Sequence, residues 1–378
     1  MKFTNPASVG VLTLAAALAL TACSSATTSP NASTAPTASA VAIDSSLSGT
    51  ITAGGSSAQA NAEHAWATAF TAQAKGTTIN YDKSQGSGGG VTNWLAGSYD
   101  FAGSDSALSS VQQTSAQANC GTGGAMNLPV YLDGVAIVFN LTGVTKLNLT
   151  SANIASIFSL KITKWNDPSI VAANPGVTLP DTAITTVTRS DGSGTTQNFT
   201  NYLSEVQPKI WTSPASNKWP IAGSSAQQGG SGVVNTVKAG NGTIGYADHS
   251  AIGTGATALT AASVQAGTST DFVAFSQSGA TNAFAAAAAS SGSTVAGDLA
   301  QKLDYAKITA KSAYPIPLVS YQIVCSVFKS PAQAKLTKAY VGFIASDLGQ
   351  KVSSTNAGSA PIPATMLASI QKSLALIK

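Results

Sequence analysis

Histidine is almost missing from this chain: His64 and His249 are the two in 378 residues. A histidine-based nucleophilic triad would have to use one of them, and neither has the setting for it. His64 falls within a helical stretch, and His249 follows Tyr246-Ala247-Asp248 in a loop, so both read as exposed or capping side chains. Metal-ligating patterns are missing as well, with no CxxC, no HExxH and no dense carboxylate loop. Neither a metal nor another cofactor is expected. Charge is scarce: Asp, Glu, Lys and Arg make up 9% of the chain, and the formal net charge of +4 is spread without a basic cluster. That disfavours nucleic acid as a partner. Beyond the first twenty or so residues no apolar run is long enough to span a bilayer, and Phe284 to Ala289 reads as a short helix or an alanine-rich loop.

What is present begins with an export signal. Lys2 supplies a positive start, Val9 to Leu20 an apolar segment, and Leu20-Thr21-Ala22-Cys23 the small-residue pattern of a lipoprotein leader. Residues 1–22 are therefore expected to be a signal peptide, with Cys23 as the acylated (palmitate-bearing) anchor. Residues 23–46 are nearly all Ser, Thr, Ala, Pro and Asn, a composition that buries too little apolar surface to order itself, and read as a flexible tether. With Cys23 taken by lipid, Cys120 and Cys325 remain to pair in an oxidising compartment, two buried free thiols being the alternative. The 44% hydrophobic residues and 35 glycines describe a globular body rich in tight turns and large enough for two domains. Alternating strand-like and helix-like segments point to an α/β fold.

Four strand–loop–helix junctions repeat one device. Thr50 to Ala53 leads into Gly54-Gly55-Ser56-Ser57 and a helical stretch carrying Trp66 and Phe70. Thr78 to Tyr81 leads through Ser84 into the loop Gly86-Ser87-Gly88-Gly89-Gly90, after which Val91, Trp94 and Leu95 resume helical spacing. Asp100-Phe101-Ala102-Gly103 leads into Ser104-Asp105-Ser106, with a helix expected from Ala107-Leu108. Finally Ala183 to Thr188 reads as a strand, Arg189-Ser190-Asp191-Gly192-Ser193-Gly194-Thr195-Thr196 as its loop, and Phe199, Tyr202, Leu203 and Val206 as the helix that Pro208 ends. Helix N-termini present unpaired N–H groups and positive potential, glycine allows close approach, and arginine adds a planar charged fork. Together these make a site for a small oxyanion.

These segments, in this order, resemble the phosphate-binding protein of the phosphate-specific ABC importer, and the lipoprotein members from actinobacteria most of all. Ile162 to Pro168, Gly242 to Tyr246 and Tyr314-Pro315-Ile316 extend the likeness over roughly residues 48 to 378. The resemblance implies phosphate contacts from Ser57, Ala58, Ser87, Asp105, Arg189, Ser193, Gly194 and Thr195, with Asp191 holding the arginine. Ala58 stands where many members have an aromatic residue, which is immaterial if only its N–H is used. Asp105 makes chemical sense in such a set: a carboxylate accepts the proton that hydrogen phosphate carries and sulfate lacks.

The resemblance further implies a two-lobed type II periplasmic-binding-protein clamshell with two interlobe crossings. One crossing is expected in Pro129 to Val135 and the other near Tyr314-Pro315-Ile316. That division gives lobe 1 as 47–130 and 316–378 and lobe 2 as 131–315. The expected function is that of a receptor, not an enzyme, and a monomeric state is expected with it. It would be lipid-anchored at the extracytoplasmic face of the cell membrane, bind inorganic phosphate between its lobes and deliver it to permease subunits. The rivals are a phosphate-ester hydrolase, a binding protein for sulfate, molybdate or tungstate, and a surface receptor or adhesin with a vestigial site. Asp-Gly-Ser-Gly-Thr around Ser193 lacks the Gly-x-Ser-x-Gly elbow of a hydrolase. Trp165 and Tyr246 read as structural.

Overall fold

The computed structural model describes residues 43–253 and 258–378; the leader, Cys23 and the tether up to residue 42 lie outside them. β1 (Ser48–Gly55) and β2 (Gly76–Asp82) are parallel, with Ile51 opposite Ile79, and α1 (Ala60–Gln73) is their crossover. Ala62, Trp66 and Phe70 recur every four residues along α1, so one stripe of the helix is buried and carries Glu63 inward with it. α2 (Gly86–Leu95), β3 (Phe101–Ser104) and α3 (Ser110–Cys120) follow. β4 (Ala125–Asn140) is sixteen residues long and leads to β5 (Asn148–Leu149), α4 (Ser151–Phe158) and α5 (Pro168–Ala173).

Next come β6 (Thr185–Arg189), α6 (Gly194–Val206), β7 (Ser225–Gln227), α7 (Gly229–Ala239) and β8 (Thr243–Asp248). Short β9 (Ser263–Gln265) and β10 (Phe272–Val273), α8 (Gln277–Ala287) and the hairpin β11 (Ala288–Ser290) with β12 (Gln301–Leu303) precede β13 (Pro317–Cys325). The described chain closes with α9 (Pro331–Ile344), α10 (Asp347–Ala357) and α11 (Ala364–Leu374).

An eight-stranded mixed sheet in the order β2-β1-β3-β13-β4-β8-β6-β7 forms the spine. β4 belongs to both halves of it. From Ala125 to Gly134 it runs antiparallel to β13, and from Val135 to Asn140 antiparallel to β8. Val135 N–H donates to Ile316 O at 2.8 Å just where the partner changes. Trp66, Phe70, Phe101 and Tyr340 pack beside the first half of the sheet, and Phe158, Phe199, Trp219 and Tyr246 beside the second, with Phe158 and Phe199 centroids 4.9 Å apart. Trp66 also donates its indole N–H to Gly349 O at 2.7 Å, so the large buried ring leaves no orphaned donor.

Several elements differ from the sequence expectation. The run Gly86 to Gly90 is not a loop but the opening turns of α2. Its glycines are there for contact: a Cβ on Gly90 would sit 2.3 Å from Gly55 Cα. α3 starts at Ser110, three residues later than expected, because Leu108 N–H is held by Asn127 Oδ1 (2.8 Å) and Ser109 forms a capping box with Gln112. β6 begins at Thr185 rather than Ala183. Ile43 to Ser46, counted with the tether, lie on the body: Ile43 packs against the core and Asp44 pairs with Lys335 at 3.0 Å. Cys120 and Cys325 form a disulfide between the ends of α3 and β13. Among the described residues no helix is long and apolar enough to cross a membrane; residues 284–287 end α8 and 288–289 open β11.

Candidate functional site

β1 stops at a glycine because nothing else fits. Gly55 has φ +134°, and a Cβ there would lie 2.1 Å from the carbonyl oxygen of Gly103 on neighbouring β3. The chain then turns into Ser56, whose N–H donates to Gly103 O (2.8 Å) and whose Oγ accepts from Ala58 N–H (3.1 Å). With that oxygen occupied from the helix side, the Ser56 hydroxyl proton goes to Asp105 Oδ1.

Asp105 follows β3 directly and is 3% exposed. Oδ1 also receives the Ser320 hydroxyl at 2.6 Å, while Oδ2 receives Ser87 (3.4 Å) and Thr195 (3.2 Å). Its backbone N–H donates to Ser87 Oγ (3.2 Å) and its carbonyl accepts from Asn198 Nδ2 (2.6 Å). Burial pushes this carboxyl upward in pKa; the hydroxyls of Ser320 and Ser56, the Arg189 charge and Thr195 pull it back, and the net direction is up.

Arg189 ends β6 and grips Asp191 with two parallel bonds, Nε to Oδ1 at 2.7 Å and Nη2 to Oδ2. Both side chains are almost fully buried. Burial works against the guanidinium charge, and Asp191 more than offsets it, so the Arg189 pKa rises; burial raises Asp191 too, and Arg189 reverses that to a net lowering. Asp191 also accepts the N–H of Gly229 at the start of α7 (3.1 Å) and packs against Gly86. The pair is thus bonded at the N-terminus of α7 and packed against that of α2. Tyr246 braces this region: its hydroxyl shares a hydrogen bond with Thr196 Oγ1 (2.6 Å) and accepts from Arg189 N–H (3.3 Å).

Ser193 caps α6, its Oγ accepting from Thr196 N–H at 3.1 Å and its own N–H donating to Asn217 O at 2.8 Å. Gly194, the first residue of α6, is pressed against the first half of the molecule; a Cβ would fall 2.7 Å from both Asp105 Cβ and Ser87 Oγ. Gly88 N–H donates to Gly192 O at 2.7 Å across the same seam.

Ser87, Asp105, Arg189, Asp191, Gly194 and Thr195 therefore converge, from α2, the β3–α3 turn and the β6–α6 junction. Ser57 lies at the start of α7, its Oγ accepting from Gly230 N–H (3.3 Å) beside the Gly229 N–H that Asp191 accepts, while the Ala58 N–H is taken by Ser56. Ser56 and Ser320 are the residues that the sequence reading missed. Two adjacent serines after a strand give no sign of which one turns inward. Ser320 had a signal: with Gln322 it is a polar i, i+2 pair in a nine-residue strand that is buried throughout.

His249 is not exposed but half-buried, stacked on Phe275 with centroids 3.9 Å apart, and burial lowers its pKa to about 4. Among the described residues, no group of three or more His, Cys, Asp or Glu is arranged to hold a metal.

The profile of the PBP superfamily domain matches residues 33–347. Phosphate-binding protein PstS 3 of Mycobacterium leprae (strain TN) is 34% identical over 296 residues, 77% of this chain and 78% of its own. Phosphate-binding protein PstS 3 of Mycobacterium tuberculosis (strain ATCC 25618 / H37Rv) is 34% identical over 336 residues, 89% of each. In fold, the chain is similar to a phosphate ABC transporter substrate-binding protein with bound phosphate from Clostridium perfringens, with TM-score 0.58 and 17% identity over 83% of this chain and all of that one. The chain belongs to the PstS family of phosphate-binding proteins, within the PBP superfamily.

Proposed function

We propose that this protein is the extracytoplasmic receptor of an ABC phosphate importer, anchored through Cys23 and a tether of residues 23–46, which binds inorganic phosphate between two lobes and hands it to permease subunits. The lobes would be residues 47–130 with 316–378, and 131–315, hinged close to Gly134/Val135 and Ile316/Pro317, where β4 changes partner. The relatives' names and the phosphate in the Clostridium perfringens structure support the ligand.

The observation that carries the reading is Asp105. It is a buried carboxylate beside a buried arginine, and it takes hydroxyl protons from both halves of the sheet. On capture, Ser87 and Thr195 would exchange Asp105 Oδ2 for phosphate oxygens, and Oδ2 would accept the proton of hydrogen phosphate. Sulfate has no such proton, so two buried acceptors would face each other, a mismatch that discriminates by ~10⁴ or more. Arg189, locked by Asp191, supplies the compensating charge, and the N–H groups opening α6 supply the dipole.

The test is calorimetric titration of the protein, stripped of bound anion, with phosphate in the presence of excess sulfate. Phosphate binding is expected to survive sulfate, Asp105→Asn to weaken it by ~100-fold, and Arg189→Ala to abolish it. Equal competition by sulfate would remove Asp105 from the ligand, and no binding of either anion would end the reading.

A further inference from the structure

Behind Asp105 runs a buried chain of side chains that no ligand contact requires. Gln59, Ser320 and Gln322 are wholly buried and Glu63 nearly so. Gln59 Nε2 donates to Tyr321 O at 3.0 Å and to Ser320 Oγ at 2.6 Å. Gln322 Nε2 donates to Gln59 Oε1 at 2.9 Å and to Glu63 Oε1, and the Tyr340 hydroxyl donates to Glu63 Oε2 at 2.9 Å. Ser320 in turn donates to Asp105 Oδ1 at 2.6 Å.

The direction of these bonds is determined. A peptide carbonyl can only accept, so Tyr321 O turns the NH₂ face of Gln59 toward Ser320. Gln322 must then present its own NH₂ to Gln59 Oε1, and its Oε1 is left without a partner. An unpaired buried acceptor costs free energy, so this orientation is held by the rest of the chain. Ser320 Oγ, already accepting from Gln59, has one proton to give and one acceptor in reach. Ser320 and Ser56 together occupy Oδ1, which leaves Oδ2 as the face turned toward Ser87 and Thr195.

We infer that Gln59 and Ser320 are positioning residues that set the anion specificity of the site, by aiming the Ser320 proton at Asp105 Oδ1 and so keeping Asp105 an acceptor. This rests on Asp105 meeting the anion, as proposed above. Protonated Asp105 would be a donor and would welcome a fully ionised oxyanion; the two hydroxyls on Oδ1 oppose that protonation. The other groups acting on Asp105 are few. Arg189 from β6, itself paired to Asp191, favours its charge, the buried Asp248 of β8 and Tyr81 of β2 interact with it through their charges, and Glu63 lies beyond the two amides of Gln59 and Gln322. Lys302 and Glu205 line the roughly 400 Å³ cavity that opens on its other flank.

The experiment measures two things in wild type, Ser320→Ala and Gln59→Met: the Asp105 carboxyl titration by carbon NMR in ligand-free protein, and the ratio of sulfate to phosphate dissociation constants against pH. Ser320→Ala is expected to raise the Asp105 titration by about one pH unit and to shrink the ratio at least ~10-fold at neutral pH. Gln59→Met, which frees the Ser320 hydroxyl to rotate, should move both in the same direction by less, and it serves alone if Ser320→Ala fails to fold. Ser320→Thr, which restores the hydroxyl, should restore the ratio. A folded Ser320→Ala protein with unchanged titration and ratio overturns the inference. Wild type that binds no phosphate overturns the functional reading instead, and the ligand-free titration still decides whether Ser320 holds the Asp105 charge.

Discussion

At Gly194 a single added carbon would have nowhere to go, because Asp105 Cβ, Ser87 Oγ and Asp105 N all lie within 3 Å of its ideal position. The glycine sits in a helix and has no unusual φ, so its role is the close approach of the two halves. Gly194→Ala is therefore expected to weaken phosphate binding by at least ~10-fold, since overpacking here costs 1–3 kcal/mol. Thermal unfolding should stay within a few degrees of wild type, and the pair of measurements separates the two effects. Asp191→Asn should be harsher: it leaves a buried guanidinium with half of its compensation, and a loss of ~3 kcal/mol or more in urea unfolding is expected. Arg189, Asp191, Gly194 and Thr195 were legible in the sequence because they share one short segment with a clear strand and helix on either side. That Ser56 rather than Ser57 bonds Asp105 was not. It depends on a half-turn of backbone set by Gly55 against Gly103, a contact 48 residues distant that no local pattern encodes.

Elements were read well where period and cap agreed, and poorly where glycine carried two meanings. α6 follows from Ser193, the Phe199-Tyr202-Leu203 stripe and Pro208. The opening of α2 was lost because five residues with four glycines look like a loop; packing against Gly55 and Gly192 makes them helix. Tertiary contact overrode propensity there. The disulfide tests the element scale directly, since it fastens α3 to β13 within the first half of the sheet. Cys120→Ala with Cys325→Ala should lower unfolding free energy by up to ~5 kcal/mol, the chain-entropy limit for a loop of this length, and leave the phosphate dissociation constant within about twofold, because the ladders of β13 with β3 and β4 hold Ser320 against Asp105 without the staple. Equilibrium urea unfolding and calorimetry, with and without reductant, read both.

Across the whole molecule the buried acids set how stability responds to pH. Burial raises Glu63 from 4.5 to about 7 against the hydrogen bonds of Tyr340 and Gln322, and raises Asp248 from 3.8 to about 6. Between those values the folded chain holds protons that the unfolded chain has released, so unfolding free energy falls as pH rises. The contribution of these two acids is fully present below about pH 4 and is lost progressively up to about pH 7; for Glu63 alone the shift corresponds to about 3 kcal/mol. Urea midpoints are expected to be lower at pH 7.5 than at pH 5, and Glu63→Gln to flatten that slope. The α/β class and the order of the loops were visible in the sequence, whereas Glu63 was not singled out, because its inward position comes from the Ala62-Trp66-Phe70 stripe that it sits beside. The Cys120–Cys325 bond also makes the chain between those cysteines, 205 residues apart, a covalent ring that contains the whole β6–α6 loop. A protease that cuts once anywhere inside the ring cannot release a fragment, so a nicked protein should migrate at full mass on a denaturing gel until a thiol is added.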